Sequence, residues 1–471
     1  MEAQALEQLV KRLVSEHLVD GNATNVIPLN QRKAARSGIF TTVDEAVAHA
    51  KNAQEQYADV PLAKRKEVVD AIRSATLPEI EILAKKSVEE TGLGNVADKI
   101  VKNKIAICGT PGVEDLVTAV QTGDFGMTLF ELSPYGVIGA ITPSTNPTET
   151  IICNAIGMLA AGNAVFFGPH PGAKEVCLCL IEKLNRVVCE AIGIDNLIVA
   201  TNTVSIENAK EMMAHPDIPI LVVTGGGGVV AAAMKSGKKV IAAGAGNPPV
   251  IVDETANIEK AASDIVKGAS FDHGILCVAE KSVLAVESIA DYLIFHMEKQ
   301  NVLLVKEPAD LQKLMSTILI DGKKINPKYI GKSATTILKA ANIACDFTPQ
   351  LLVVEVEQDH VLVNKEQLMP VLPVVRVPDF EAALQGAMII ERGLQHTALM
   401  HSQNISRLNR AVRKLQTTLF VKNGPSYSGL GFEGEGPVTY TVATPTGEGT
   451  TTARHFARTK RCVLTDGFSI R

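Results

Sequence analysis

Tyr135-Gly-Val-Ile-Gly-Ala-Ile-Thr-Pro-Ser-Thr-Asn-Pro147 is an apolar run ending in a cluster of breakers, and the charge-free stretch 150–168 follows closely. Residues 135–142 read as a strand buried on both faces, and 143–147 as a loop. Residues 149–160 are long enough for a helix, Gly162-Asn163 is a helix-stop signal, and 164–167 form a second short strand. Asn154, Gly157, Gly162 and Asn163 interrupt the uncharged stretch, so it reads as a buried helix feeding a buried strand and not as a bilayer span.

The same alternation continues outward. A helix over 172–191, a strand over 197–200, a helix over 205–213 and a strand over 218–224 lead to Gly225-Gly-Gly-Gly228 and a helix over 229–236. Strands alternating with helices at this spacing define an α/β fold with a parallel, doubly wound sheet. A strand, a glycine loop and a helix in that order suit a phosphate, because small residues let backbone N–H groups approach it at a helix N-terminus. The third glycine of a dinucleotide fingerprint is missing, so a tight turn between packed elements explains the same residues equally well. Past Val240, residues 241–253 join two apolar runs through small residues and two prolines, as a crossing into a second domain would. Glu366 precedes an irregular zone marked by Pro370, Pro373 and Pro378, and 428–436 and 445–449 are glycine-rich loops.

Inside the second domain lies Phe271-Asp-His-Gly-Ile-Leu-Cys-Val-Ala-Glu-Lys281. Asn257 is a good N-cap, and Ile258, Ala261, Ala262, Ile265, Val266 and Ala269 share one helical face. Gly274 breaks that pattern and 282–286 form a second apolar run, which puts Cys277 at a turn between scaffold elements. A thiol there can be reachable and partly ionised, as a nucleophile must be. The plain alternative is a small buried hydrophobe.

The chain has 471 residues, 46% of them hydrophobic, enough for two or three domains. A formal net charge of -5 gives no global attraction for nucleic acid or an anionic membrane. The eight cysteines (108, 153, 177, 179, 189, 277, 345, 462) show neither CxxC nor Cys/His spacing, which argues for a reducing compartment without disulfide framework or zinc. Cys177 and Cys179 read as core positions. Leu6, Leu9, Val10, Leu13, Val14 and Leu18 make residues 1–20 an amphipathic helix, and the polar stretch 21–36 a linker. Such a helix docks on its own domain or on a partner. Residues 42–115 read as mostly helical, a cover for something else. Around 121–132 a hairpin is expected, with similar material at 461–467, and exposed edges of this kind invite pairing between subunits, hence a homo-oligomer.

Six segments, in this order and spacing, resemble one family over nearly the whole chain. They are 134–147, Phe167-Gly-Pro-His-Pro-Gly-Ala173, Val223-Thr-Gly-Gly226, the cysteine segment ending Cys277-Val-Ala-Glu-Lys281, Glu366-Gln-Leu-Met-Pro-Val371, and Pro445-Thr-Gly-Glu-Gly-Thr-Thr-Thr-Ala-Arg454. The chain resembles the CoA-acylating aldehyde dehydrogenases, most of all the propionaldehyde type packaged in bacterial microcompartments. The resemblance implies two doubly wound domains with a small β oligomerisation hairpin. A nicotinamide cofactor domain would span 37–242 (hairpin near 121–134), a catalytic domain 243–425, and a C-terminal segment, 426–471, would return to the cofactor domain and the oligomerisation strands. It implies Cys277 as nucleophile and Asn146 as amide donor to the oxyanion. Thr142, Pro143, Ser144, Thr145, His170, Thr224, Gly225, Gly226, Gly227 and Glu366 would line the site of NAD, with CoA as co-substrate and no metal. Residues 1–20 resemble an encapsulation peptide for a shell protein, which implies a place in the microcompartment lumen.

The branch follows from one position. Hydrolytic relatives carry a glutamate base where this chain, aligned on Gly246-Asn-Pro-Pro249, has Ala243 and Gly244. Water, with a pKa of about 15.7, needs such help. A thiol near pKa ~8.5 needs much less. With no carboxylate expected near the sulfur to recruit solvent, transfer to CoA is favoured. Gly168 stands where hydrolytic members hold the adenosine ribose with a lysine, which leans toward NAD over NADP. His273-Gly-Ile-Leu276 replaces the usual Asn-Asn-Leu-Pro, and His273 reads as a loop residue facing solvent or a proton carrier. The alternatives are an acyl-phosphate reductase of the glutamate semialdehyde dehydrogenase type, and a non-catalytic shell-binding protein with this fold.

Overall fold

Two parallel sheets organise the chain. The first contains β1 (Ile39–Phe40), β2 (Val137–Ile141), β3 (Ala164–Gly168), β4 (Ile198–Thr201), β5 (Ile220–Thr224) and β6 (Lys239–Ala243), in the order β1-β4-β3-β2-β5-β6. The second contains β7 (Pro249–Val252), β8 (Ser282–Val286), β9 (Val302–Leu304), β10 (Leu351–Glu355), β11 (Val371–Val377), β12 (Thr397–His401) and β13 (Leu419–Lys422), in the order β9-β10-β11-β8-β7-β12-β13. Every pairing within both is parallel, and each strand order reverses about its middle, as a doubly wound sheet requires. The computed structural model describes residues 36–469, and from Ser37 onward the chain is one compact unit. The amphipathic helix read over 1–20, and all of the linker but Arg36, lie outside the described residues.

Local chemistry sets the element ends. Strand β2 begins at Val137, two residues later than the apolar run, because the N–H groups of Tyr135 and Gly136 donate to Asn163 Oδ1 at 2.7 and 3.2 Å instead of to a neighbouring strand. Helix α2 (Pro147–Ala160) is buried on every side. A helix that is apolar all round belongs inside a core, and the absence of charge from 150 onward has that cause. Helix α3 begins at Gly227 and ends at Met234, so the glycines are its first turn and not only a loop before it. Helix α4 (Ile258–Ser270) is capped by Asn257, whose side chain accepts from Lys260 N.

Residues 42–115 do more than cover. Their helices pack on α2, and the last of them, α1 (Val96–Gly109), places Lys99 and Lys102 fully buried beside the cysteine loop. Strands Ala119–Gly123 and Gly126–Pro134 form the expected hairpin. Ala457–Thr465 joins it antiparallel and leaves an exposed, charged outer strand. Cys177 is core, as expected, whereas Cys179 is only half-buried on the adjacent face of its helix.

Candidate active site

The cysteine loop is made by a reversal after α4. Asp272 and His273 sit in the left-handed region (φ 49° and 56°), followed by Gly274 at φ 70°, where a Cβ would stand 2.9 Å from the Met369 carbonyl oxygen. Two non-glycine residues in that region cost about 1–3 kcal/mol each, so something must hold them. Asp272 is held by a buried charge cluster. Its Oδ2 accepts from Lys102 Nζ at 2.6 Å and Lys99 Nζ at 3.0 Å, and its Oδ1 from Asn95 N at 2.9 Å. Glu149 Oε1 lies 3.5 Å from Lys102 Nζ, so two ammoniums face two carboxylates, all with no exposed side-chain surface. Burial works against the charged Asp272, but Lys102 and Lys99 outweigh it and hold its carboxyl below the usual range. Both ammoniums also donate to the Thr145 carbonyl, at 3.1 and 3.4 Å, so one cluster fixes the cysteine loop and the 142–146 loop together. Asp272→Ala leaves two buried lysines with only Glu149. It is expected to lower stability by about 3–5 kcal/mol, measured as the shift of a denaturant midpoint at unchanged slope.

The 142–146 loop follows β2, His170 follows β3, the glycines follow β5, and Ala243 and Gly244 close β6. Loops after the C-terminal ends of neighbouring parallel strands converge on one crevice. Here they line a cleft of about 670 Å³, in which Thr142, Pro143, Ser144, Thr145, Asn146, His170, Thr224, Gly225, Gly226 and Gly227 meet Cys277 and Glu366. The twelve positions singled out in the sequence are thus brought together. Their side chains are not equally free. Thr224 Oγ1 is 2.8 Å from Thr441 Oγ1, and His170 Nδ1 accepts from Gly172 N at 3.0 Å, so one bond of each is spent on the scaffold. Asn146 Nδ2 donates to Thr145 Oγ1 at 3.2 Å, while its buried Oδ1 has no partner.

A dinucleotide fits this crevice. A Cβ on Gly226, Gly227 or Gly228 would meet nothing within 4 Å, and the first turn of α3 has no side-chain cap. Free N–H groups at a helix start with open space before them suit a pyrophosphate. Ser205, Lys210 and Tyr440 also line the cleft and were not singled out in the sequence. They come from a helix cap, a helix face and the C-terminal segment, and no local motif marks them.

Cys277 is half-buried at the cleft wall. Burial pushes its thiol up to about 12, the Glu366 carboxylate pushes the same way, and the Lys281 ammonium opposes both. The thiol is therefore protonated at neutral pH. Alkylation of Cys277 by iodoacetamide is expected to rise about tenfold per pH unit from pH 7 to 10 without a plateau, followed by intact mass. A plateau near pH 8 would contradict it.

Glu366 corrects one expectation. A carboxylate does stand near the sulfur. Its Oε1 accepts from Gly246 N at 3.3 Å, and burial raises its pKa against the pull of Lys281. At the positions aligned with the hydrolytic base there are, as read, only Ala243 and Gly244, both on the cleft wall. His273 is also corrected. It is half-buried, its Nδ1 lies 3.1 Å from the Gly331 carbonyl oxygen, and it is not among the cleft residues. His396 escaped the sequence reading. A Cβ built on Gly246 would lie 2.6 Å from the Cys277 carbonyl oxygen and 2.9 Å from His396 Cγ, so the imidazole and the cysteine backbone both pack on Gly246. Burial lowers it to about 4, and its Nε2 has no partner.

The family model for the aldehyde dehydrogenase family matches residues 31–432. The chain is 53% identical to the propanal dehydrogenase (CoA-propanoylating) of Salmonella typhimurium, over 100% of both chains. The structure of Rhodopseudomonas palustris propionaldehyde dehydrogenase with bound CoA and an acylated cysteine superimposes with a TM-score of 0.91 at 49% identity, covering 92% of this chain and 99% of that one. A propionaldehyde dehydrogenase from the fucose utilisation bacterial microcompartment of Clostridium phytofermentans gives 0.90 at 42% identity, covering 92% and 100%. With its paired parallel sheets, its cysteine at a cleft between their loops and these matches along its length, the chain belongs to the aldehyde dehydrogenase family.

Proposed function

We propose that the protein oxidises a short aliphatic aldehyde, propionaldehyde foremost, and transfers the acyl group to CoA. The observation that carries this reading is the meeting of Cys277 and Asn146 in one cleft whose wall at 243–244 offers no carboxylate. The Cys277 thiol releases its proton to solvent in the cleft, the thiolate adds to the aldehyde carbon, and the resulting oxyanion lies between the Asn146 amide and the Cys277 N–H. A nicotinamide held by the 142–145 loop, His170, the 225–227 glycines and Glu366 would supply the hydride acceptor, and loss of hydride from that carbon as the carbonyl re-forms leaves a thioester on Cys277. The CoA sulfur then adds, and the Cys277 sulfur leaves. The CoA thiol proton ends on the departing Cys277 sulfur, so the resting thiol is regenerated. Gly168, where no basic residue stands, favours NAD over NADP, and the 225–227 glycines suit the pyrophosphate common to both. Reduction of NAD with propionaldehyde, run with CoA, with phosphate and with neither, tests the reading. Phosphate dependence would transfer the protein to the acyl-phosphate reductases, and no turnover would leave a binding protein.

Within this reading, 37–242 hold the cofactor, 243–425 carry the nucleophile, and the outer strand Ala457–Thr465 pairs between subunits of a homo-oligomer. Residues 1–20 dock on a microcompartment shell protein, a role supported by their apolar face and by the source of the C. phytofermentans relative. Among the described residues no helix is long and apolar enough to cross a membrane. Removing residues 1–20 is expected to leave kcat within about twofold and to abolish co-purification with shells. Unchanged co-purification would refute the docking role.

A further inference from the structure

Lys281 has no duty in the chemistry above, yet it is 1% exposed and sits four residues after the nucleophile. Burying an ammonium is costly unless its donors are met. Lys281 Nζ donates to two carbonyls of the cysteine loop, Gly274 O at 2.7 Å and Leu276 O at 3.1 Å. The second contact is the informative one. The Leu276 carbonyl and the Cys277 N–H belong to the same planar peptide group. Leu276 O also accepts from Ala279 N at 3.1 Å, so both of its lone pairs are engaged, one of them by Lys281 Nζ, whose charge burial opposes and the Glu366 and Glu280 carboxylates favour. On the other edge of that plane, the Cys277 N–H has no carbonyl partner among the described residues and faces its own sulfur together with the Val278 N–H.

We propose that Lys281 is a positioning residue that polarises the Leu276–Cys277 peptide from behind and so strengthens the Cys277 N–H as an oxyanion donor. An ammonium on the carbonyl oxygen draws electron density from the amide nitrogen, and hydrogen bonds in series reinforce one another. The two bonds also lock the peptide plane, so the N–H is aimed before substrate arrives and needs no reorganisation as charge develops. The same charge faces Cys277, Glu280, Glu366 and His396, and it favours the thiolate at the first and the neutral imidazole at the last.

The proposal rests on Cys277 as nucleophile, and its test separates the two. Full-length enzyme without nicotinamide is mixed with [1-13C]propionyl-CoA. The Cys277 sulfur adds to the thioester carbon, the oxyanion forms, the bond to the CoA sulfur breaks, and the propionyl group is read on Cys277 by intact mass. Iodoacetamide alkylates the same sulfur by displacement without any oxyanion and serves as the control. In Lys281→Met, and less severely in Lys281→Gln, propionyl transfer is expected to fall about 30-fold more than alkylation, less than the 100–1000-fold typical of losing a donor outright. Equal falls in both rates mean that Lys281 only supports the loop, and wild-type transfer in either folded variant is equally fatal. A wild-type enzyme that gains no propionyl group on Cys277 sinks the nucleophile reading instead. If neither variant folds, the wild-type propionyl-enzyme decides. Its 13C-edited carbonyl stretch is expected below that of a simple thioester in water, and an unshifted band overturns the proposal.

Discussion

Cys277→Ala lowers CoA-dependent aldehyde oxidation by roughly 10⁴-fold or more, the loss expected when a covalent nucleophile is removed from an otherwise intact site. Of the eight cysteines, Cys277 is the one in the cleft that holds the glycine loop, Asn146 and Glu366. Cys153 and Cys177 are sealed in the core with their thiols pushed up by burial, and neither meets a crevice. The substitution removes one sulfur atom from a half-buried wall, so stability should change by no more than about 1 kcal/mol. Dinucleotide binding, followed by fluorescence of the reduced cofactor, should survive. Retained activity in a folded Cys277→Ala protein would end the thioester mechanism. Lost dinucleotide binding would show that the variant had damaged the cleft instead.

What was legible in the sequence was whatever lay close together along the chain. The strand-helix alternation from 135 to 243 could be read because each buried strand is a short apolar run and the helices carry stop signals, Gly162-Asn163, Gly193 and Pro216 among them. Cys277 could be placed at a turn because α4 and β8 flank it with clear periodicity. Long-range facts left no local trace. The charge cluster of Lys99, Lys102, Glu149 and Asp272 joins residues up to 173 positions apart, and from the sequence its lysines are ordinary charges on a mixed helix. His396 stands 119 positions after the cysteine, and only the fold brings its segment against Gly246. The expectation that no carboxylate would lie near the sulfur failed for the same reason. Positions 243 and 244 were read correctly, but Glu366 approaches from another strand connection.

Asn146→Ala is the sharper test of the oxyanion assignment, because the structure separates its catalytic from its structural cost. Asn146 stands at the N-cap of α2, where an asparagine-to-alanine change ordinarily costs about 1 kcal/mol through the lost cap. Here the side chain makes no cap bond at all. Its amide donates only to the neighbouring Thr145 hydroxyl, and its oxygen is buried without a partner. Truncation therefore forfeits one side-chain bond and removes one unsatisfied acceptor, and the melting temperature should move by no more than about 2 °C. The second amide hydrogen is available to an oxygen at the cleft wall. A donor that matters only as charge develops lowers kcat and leaves ground-state binding nearly untouched. The expected result is a fall of about 10²–10³-fold in kcat with the aldehyde KM within about threefold. A loss confined to KM would make Asn146 a binding residue, and a fall below tenfold would leave the oxyanion to the backbone alone.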